Sequence, residues 1–554
     1  MTANRISVLL AVTILMVVAA ASPTALAQTY TDLYDLGTNA GDPLLPAWMG
    51  LFAQGRDGNL YATSQSGGAF FNGHQYGTVF RLTPSGSMTV LHSFDGPNDG
   101  AFPNSGLTLG ADGNLWGTTP SGGTVGFGNV FKITPSGTFS VVHNFNGNTE
   151  GSAANAPPVI GMDGNFYGTT GNGNNAVFGT VYKMTTKGKL TLLHTFDGIT
   201  RYPQAITLGL DGNFYGTFLG GTGANVNGDV FRITPKKKFV VLHAFTGTDG
   251  QNPMGAIIQG VDGNFYGTTR AGGTGGTGVV YKMTPSGNLT VLHNFANDGF
   301  GSTPFAGLVQ ASDGKLYGVT ITNPGTSFGV LFQITTGGSY SNQVLFSNTS
   351  GAFKGNSPQV TPYQHTNGVL FGDTTSGGTG SNGCNFCGVL YSLDATLPRF
   401  ARLVYWTGTV GSSVQILGQG FTGTTSVKFN GTAASFNVVS DTYLTATVPA
   451  GGTAGNVSVT TPSGTLASNH AFLVVPVVTG FSPASGPVGS AVTITGSGLT
   501  GVTQVKFGAK SASFTVNTDS SITATVPAGA KTGKISVTSP GGVVMSKLKF
   551  TVTP

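Results

Sequence analysis

Eight residues, Asp163-Gly-Asn-Phe-Tyr-Gly-Thr-Thr170, constrain this chain more than any others, because near-copies recur along most of its length. The copies are DGNLYATS from Asp57, DGNLWGTT from Asp112, DGNFYGTF from Asp211, DGNFYGTT from Asp262, DGKLYGVT from Asp313 and NGVLFGDT from Asn367. They start 55, 51, 48, 51, 51 and 54 residues apart. A fixed period near fifty is the mark of an array of one supersecondary unit, which cannot bury its apolar faces alone and must stack on its neighbours.

The stretch from Gly106 to Phe145 shows what the unit contains. Four strand-like runs, Gly106–Leu109, Leu115–Thr118, Asn129–Thr134 and Thr138–Phe145, are rich in β-branched and aromatic residues. Asp112-Gly-Asn joins the first two and Pro135-Ser-Gly the last two, both tight-turn chemistry. Four antiparallel strands at this period predict the blades of a β-propeller. Fourth-strand runs occur at 88–94, 139–145, 190–196, 239–245, 289–295 and 341–346, six for seven first turns. The missing one is Thr31–Leu36 at the N-terminus, and the last repeat stops after its third strand, Gly388–Leu393. A first strand that completes the last blade closes the ring and removes its free edges. The prediction is an all-β chain with a seven-bladed propeller over residues 28–396.

Residues 1–27 carry Arg5, an apolar run from Val8 to Ala21 and a terminal Ala25-Leu-Ala27, which reads as a signal peptide cleaved before Gln28. The expected location is extracellular, at the cell surface or periplasmic, with no membrane insertion after cleavage. The chain has 89 glycines and only 8% charged residues, and its formal charge of +5 is read as too dilute for nucleic acid. The run Lys236-Lys-Lys238 stands where sister repeats have Ser85-Gly86 or Ser136-Gly137, and is read as a solvated hairpin turn.

The words DGNLYGTT, SGGT, GTVFKLTPSG and VLHSF resemble the choice-of-anchor GloVer tandem repeats of secreted bacterial proteins, over residues 30 to 394. That resemblance implies an architecture and a compartment but no reaction, and a C-terminal surface anchor for which no sorting tail is visible. From Pro398 a second pattern begins and is itself repeated at an offset of 78: Gly411–Gly420 matches Gly489–Gly498 and Ala446–Gly451 matches Ala524–Gly529. FSPASGPVGSAVTITGSGL, VKFG, ATVPAG and GKISVTSPGG resemble the IPT/TIG immunoglobulin-like fold. This implies two small β-sandwiches, 397–475 and 476–554. The first departs from the pattern at Leu403-Val-Tyr-Trp-Thr-Gly-Thr409.

Five histidines, His92, His143, His194, His243 and His293, share one slot in the fourth strand. Phe346 and Tyr34 are read as its other occupants, so packing of a flat side chain outweighs a metal or catalytic reading. Third-strand aromatics in all seven copies are expected in the core between blades. Asp-Gly-Asn lacks the further oxygens of a calcium loop and reads as turn bracing, with Asn367 able to substitute. Cys384 and Cys387, the only cysteines, are expected to form a local disulfide. No cofactor and no metal are expected.

Uniform short turns occupy one face of such a ring, and long, variable loops the other. Binding surfaces concentrate on the latter. The candidates there are Phe70, Phe71, His74 and Tyr76, together with Trp48, Phe127, Glu150, Arg201, Tyr202 and Arg270. The expectation is an exported, monomeric, non-catalytic protein that presents this face to an extracellular glycan or surface protein. The alternative is a carbohydrate-active lyase or hydrolase with its site at the mouth of the ring on the same side.

Overall fold

The computed structural model describes residues 28–46, 52–171, 177–197, 202–219, 226–296, 299, 301–322, 328–380 and 387–554; the leader 1–27 lies outside them. Among these residues the secondary structure is β throughout, with no helix. Seven four-stranded antiparallel sheets follow one another, the first six ordered in space as in sequence. The second is representative: Thr108–Leu109, Leu115–Thr119, Asn129–Ile133 and Phe139–Asn144. The seventh draws three strands from Tyr363–Gln364, Leu370–Asp373 and Val389–Asp394, and its fourth is Thr29–Asp35. Tyr30 pairs with Leu393 and Tyr34 with Leu390, as the missing N-terminal strand predicts.

Two observations put these sheets in a cycle. Each pair of successive sheets shares one apolar cluster, such as Tyr61, Val79 and Phe94 of the first with Leu115, Phe131 and Ile133 of the second. The seventh sheet packs back on the first through Phe371 and Leu390 against Leu60 and Phe80. All seven first strands also line one common cavity. First strands are only two residues long in six of the seven sheets, shorter than the sequence suggests, because they face that cavity and have a sheet neighbour on one side only.

The second strand explains the repeated motif. It is buried at every position in the second, third, fifth and sixth sheets, because both of its faces meet another sheet. Its central glycine lies opposite the third-strand aromatic, as in Gly168 to Tyr182 and Gly117 to Phe131. A Cβ on Gly168 would stand 2.4 Å from the Tyr182 hydroxyl, so the aromatic fills the space the glycine leaves. The seven third-strand aromatics, from Phe80 to Tyr391, are at most 1% exposed.

Beyond the cycle lie two C-terminal β domains of one design. Each has a four-stranded and a five-stranded sheet around a single core: Ile416, Phe429, Leu444 and Phe472 in the first, Ile494, Phe507, Ile522 and Phe550 in the second. The entry strand of the first forms despite its unusual sequence, with Thr407–Gly408 pairing in parallel with Leu473–Val474.

Candidate functional site

The copied turns are bracing elements. Asp262 accepts the backbone N–H of Asn264 at 3.1 Å on one carboxylate oxygen and the Tyr266 hydroxyl at 2.7 Å on the other, while Lys282 stands 3.1 Å away. Burial alone would raise this carboxyl, but the hydrogen bonds from Asn264, Tyr266 and Lys282 outweigh it and hold the pKa at about 2. Burial and the neighbouring Asp262 push Tyr266 up to about 12. Asn367 does the same work in the seventh copy by accepting the Val369 N–H at 2.9 Å. The motif's aspartate is thus engaged by its own hairpin, while its first threonine reaches the next sheet, as Thr169 does in donating to the Gln204 carbonyl at 2.8 Å.

That face is also occupied. Thr442 of the first C-terminal domain donates to the Arg56 carbonyl at 2.7 Å, Gln415 to the Ala111 carbonyl at 2.7 Å, and Arg402 to the Gln364 carbonyl at 2.7 Å. Trp406 packs on the cluster that holds Tyr167, Leu208 and Phe214. The departure Leu403-Val-Tyr-Trp406 thus supplies one of the contacts with the ring, through Trp406. Between the two lies the common cavity, about 840 Å³. Its wall has no carboxylate, and Arg399, Arg402 and His470 are its ionisable groups besides Tyr363. Burial, reinforced by Arg402, pushes His470 down to about 4, leaving it neutral at pH 7.

The opposite loops divide the sequence candidates. Trp48, Arg201 and Cys384 lie outside the described residues. Cys387 is buried and disulfide-bonded. Phe70 is 70% exposed and Phe71 36%. The backbones of Phe71 and His74 bond reciprocally at 2.8 and 3.0 Å, making a tight bend that carries His74 and Tyr76 with rings 5.8 Å apart. Tyr76 lies 5.6 Å from Phe102, a residue the sequence reading passed over. Phe102 is 40% exposed at a φ of +54°. Its signal was an Ala-Phe-Pro that aligns with Gln251-Asn-Pro, Ser302-Thr-Pro and Asn356-Ser-Pro, whose central residues have the same left-handed backbone. Each of these donates its N–H to the preceding sheet's loop, Phe102 to the Tyr76 carbonyl at 2.8 Å.

Other candidates have structural work. Phe127 is half-buried on the core between the second and third sheets, and a Cβ on Gly147 would meet its ring at 2.6 Å. Glu150 pairs with His143 at 3.1 Å and accepts the Asn146 N–H at 3.2 Å. Tyr202, expected in a loop, begins the first strand of the fourth sheet and is 37% exposed. Arg270 lies 5.7 Å over the Phe305 ring. The loops therefore bring together Phe71, His74, Tyr76 and Phe102, and leave Glu150, Tyr202 and Arg270 apart.

The histidine slot differs in one member from its sequence reading. Leu331 pairs with Val344 where Val79 pairs with His92, so Val344 and not Phe346 is the sixth occupant, and a flat side chain is not common to the set. His92, His194 and His293 stack at 3.9 to 4.3 Å on Phe139, Phe239 and Tyr340 of the next sheet. The sequence reading also missed their carboxylates. His92 pairs with Asp99 at 2.7 Å and His243 with Asp249 at 2.9 Å, as His143 does with Glu150, and Tyr34 donates to Asp42 at 2.7 Å. A spacing of six to eight residues was the available signal. These pairs pin the loop after the fourth strand. Among the described residues no three His, Cys, Asp or Glu side chains are grouped as a metal site.

The profile of the Gloeobacter/Verrucomicrobia repeat matches residues 26–222 and 202–443, and that of the IPT/TIG domain matches 476–552. No curated protein matches the chain. Among solved structures it is similar to a surface glycan-binding protein of Prevotella bryantii, at 21% identity over 27% of this chain and 41% of that one, with a TM-score of 0.21. It is also similar to the periplasmic gluconolactonase of Pseudomonas aeruginosa, at 16% identity over 61% and 97%, with a TM-score of 0.38. A third is a protein from a complex xyloglucan utilization locus of Bacteroides uniformis, at 18% identity over 27% and 48%, with a TM-score of 0.15. The chain spans about two fifths of the first of these, 41%. At such scores the likenesses specify neither a ligand nor a reaction for this chain.

Proposed function

Because the chain belongs to the Gloeobacter/Verrucomicrobia repeat family, whose repeats here make seven successive sheets, we propose that it is an exported binding protein built as a seven-bladed β-propeller. In this reading residues 28–396 form the ring, and 397–475 and 476–554 are its two spacer domains. The ring presents its long-loop face to an extracellular glycan.

The observation that carries this is the aromatic group of Phe71, His74, Tyr76 and Phe102 at the seam of the first two sheets, half-buried at Tyr76, with the sequence neighbour Phe70 70% exposed. Aromatic rings bury large area at small entropic cost, and flat apolar faces stack on the apolar faces of pyranose rings. On the turn face the first C-terminal domain bonds to the turns of the first and second sheets.

A glycan array probed with residues 28–554 tests the proposal. The chain should bind a defined class of oligosaccharide, and Phe70→Ala and Phe102→Asn should each weaken that binding by about tenfold or more. Asn accepts the left-handed backbone of position 102, so this variant removes the ring and keeps the loop. Retention of full affinity in both variants sinks the proposed face, and steady release of new reducing ends from the bound glycan replaces binding with catalysis.

A further inference from the structure

The formal charge of this chain is concentrated at one end. Residues 476–554 contain Lys506, Lys510, Lys531, Lys534, Lys547 and Lys549 against the single acid Asp519, a net of +5 that equals the formal charge of the whole chain. Asp519, already counted in that net, caps a turn by accepting the Gly498 N–H at 3.1 Å and the Thr500 hydroxyl at 2.8 Å.

Pairing in the five-stranded sheet shows where the lysines go. Lys549 lies directly opposite Lys534, Met545 opposite Ser536, and Ser536 opposite Lys506. Directly opposed residues share a face, and the alternate positions Ile535 and Val537 fill the core, so Lys506, Lys534, Met545 and Lys549 share the outer face. Like charges opposed on adjacent strands repel. Three large apolar side chains accompany them: Leu548 is 74% exposed, Val543 64% and Met545 58%.

The first C-terminal domain supplies an internal control. Both domains build the same kink, with Ser468 bonding Val457 and His470 as Ser546 bonds Ile535 and Leu548. Positions 534, 543, 545, 547 and 548 therefore correspond, at the offset of 78, to Asn456, Thr465, Ala467, Asn469 and His470. In the first domain all five line the cavity against the ring and none is a lysine or a large aliphatic residue. In the second domain the same positions carry charge and apolar bulk instead, and Val543, Met545 and Leu548 are exposed among the described residues.

We propose that this outer face docks the protein on an anionic lipid surface. The lysines match its charge, and Val543, Met545 and Leu548 favour lipid over a hydrated acidic polymer, which offers no apolar phase to enter. Binding is peripheral, involves no membrane-spanning segment, and is independent of the aromatic loop face.

Co-sedimentation of residues 28–554, which carry every described sheet, tests this at low salt. Vesicles of phosphatidylcholine and phosphatidylglycerol at about 7:3 should bind the chain and vesicles of phosphatidylcholine alone should not. Lys534→Gln with Lys549→Gln should lower affinity roughly 30-fold, Met545→Ser with Leu548→Ser should lower it as well, and Lys428→Gln on the first domain should leave it unchanged. These side chains are exposed, so an unaltered thermal transition verifies folding of each variant. Equal binding to both vesicle types, or indifference to the paired lysine change, overturns the proposal. Capture by soluble polygalacturonate as strong as by the anionic vesicles, together with indifference to the Met545 and Leu548 changes, overturns it in favour of an acidic polymer.

Discussion

Two tyrosines of the fifth sheet show how one residue type takes opposite meanings in this fold. Tyr266 and Tyr281 are both fully buried. The Tyr266 hydroxyl reaches Asp262 at 2.7 Å, whereas that of Tyr281 has no partner among the described residues and sits over Gly267, whose Cβ would meet it at 2.4 Å. An unsatisfied buried hydroxyl costs about 1 to 3 kcal/mol, and phenylalanine already fills this slot in four sheets, as at Phe332. Tyr281→Phe should therefore raise the urea midpoint of the chain and Tyr266→Phe should lower it, each by the equivalent of about 1 kcal/mol; the same sign for both would refute this account. The aromatic slot itself was legible, because seven copies repeat it. The group around Phe102 was not, because it depends on a backbone conformation that bonds one loop to the next.

At the scale of the element, repetition also exposes exceptions. The turn between the third and fourth strands places a glycine at positive φ in sister repeats, Gly137 at +98° and Gly287 at +98°. The fourth sheet has Lys237 there at +70°, exposed in the middle of the basic run. Its N–H still reaches the Thr234 carbonyl at 2.9 Å, as Gly137 reaches Thr134, so the hairpin survives at a conformational cost. Lys237→Gly should stabilise the chain by about 1 kcal/mol, read as a higher urea midpoint; an unchanged or lower midpoint argues against strain at this turn. The sequence located the turn and its solvation, and sister repeats revealed the strain once dihedral angles were known. Strand identities were legible because each copy alternates runs and turns alike. The two-residue first strands were overextended by the sequence reading, since a short pairing against a cavity leaves no mark in composition.

For the whole molecule, the least legible feature was the junction between the ring and the first C-terminal domain. Sequence comparison of the two domains flagged Leu403-Val-Tyr-Trp406 as irregular, and the reason lies in contacts across two domains that no local pattern encodes. Trp406, whose counterpart in the second domain is Ala484, packs against sheets three and four. Trp406→Ala should cost about 1 to 3 kcal/mol at that junction and make the 397–401 segment accessible to limited proteolysis without unfolding the ring; resistance equal to the parent chain would mean that Trp406 does not hold the two together. The seventh sheet has a further consequence. Thr29 pairs with Asp394, so the ribosome completes the partner of the first strand only after the other six sheets of the ring have been made. Each doubling of a loop adds only about 0.6 kcal/mol to its closure, which makes the delay one of time more than of free energy. Until Val389–Asp394 emerges the seventh sheet stays unfinished and Thr29–Asp35 lacks its sheet partner. Within the ring, the first described strand to be synthesised is among the last to be paired.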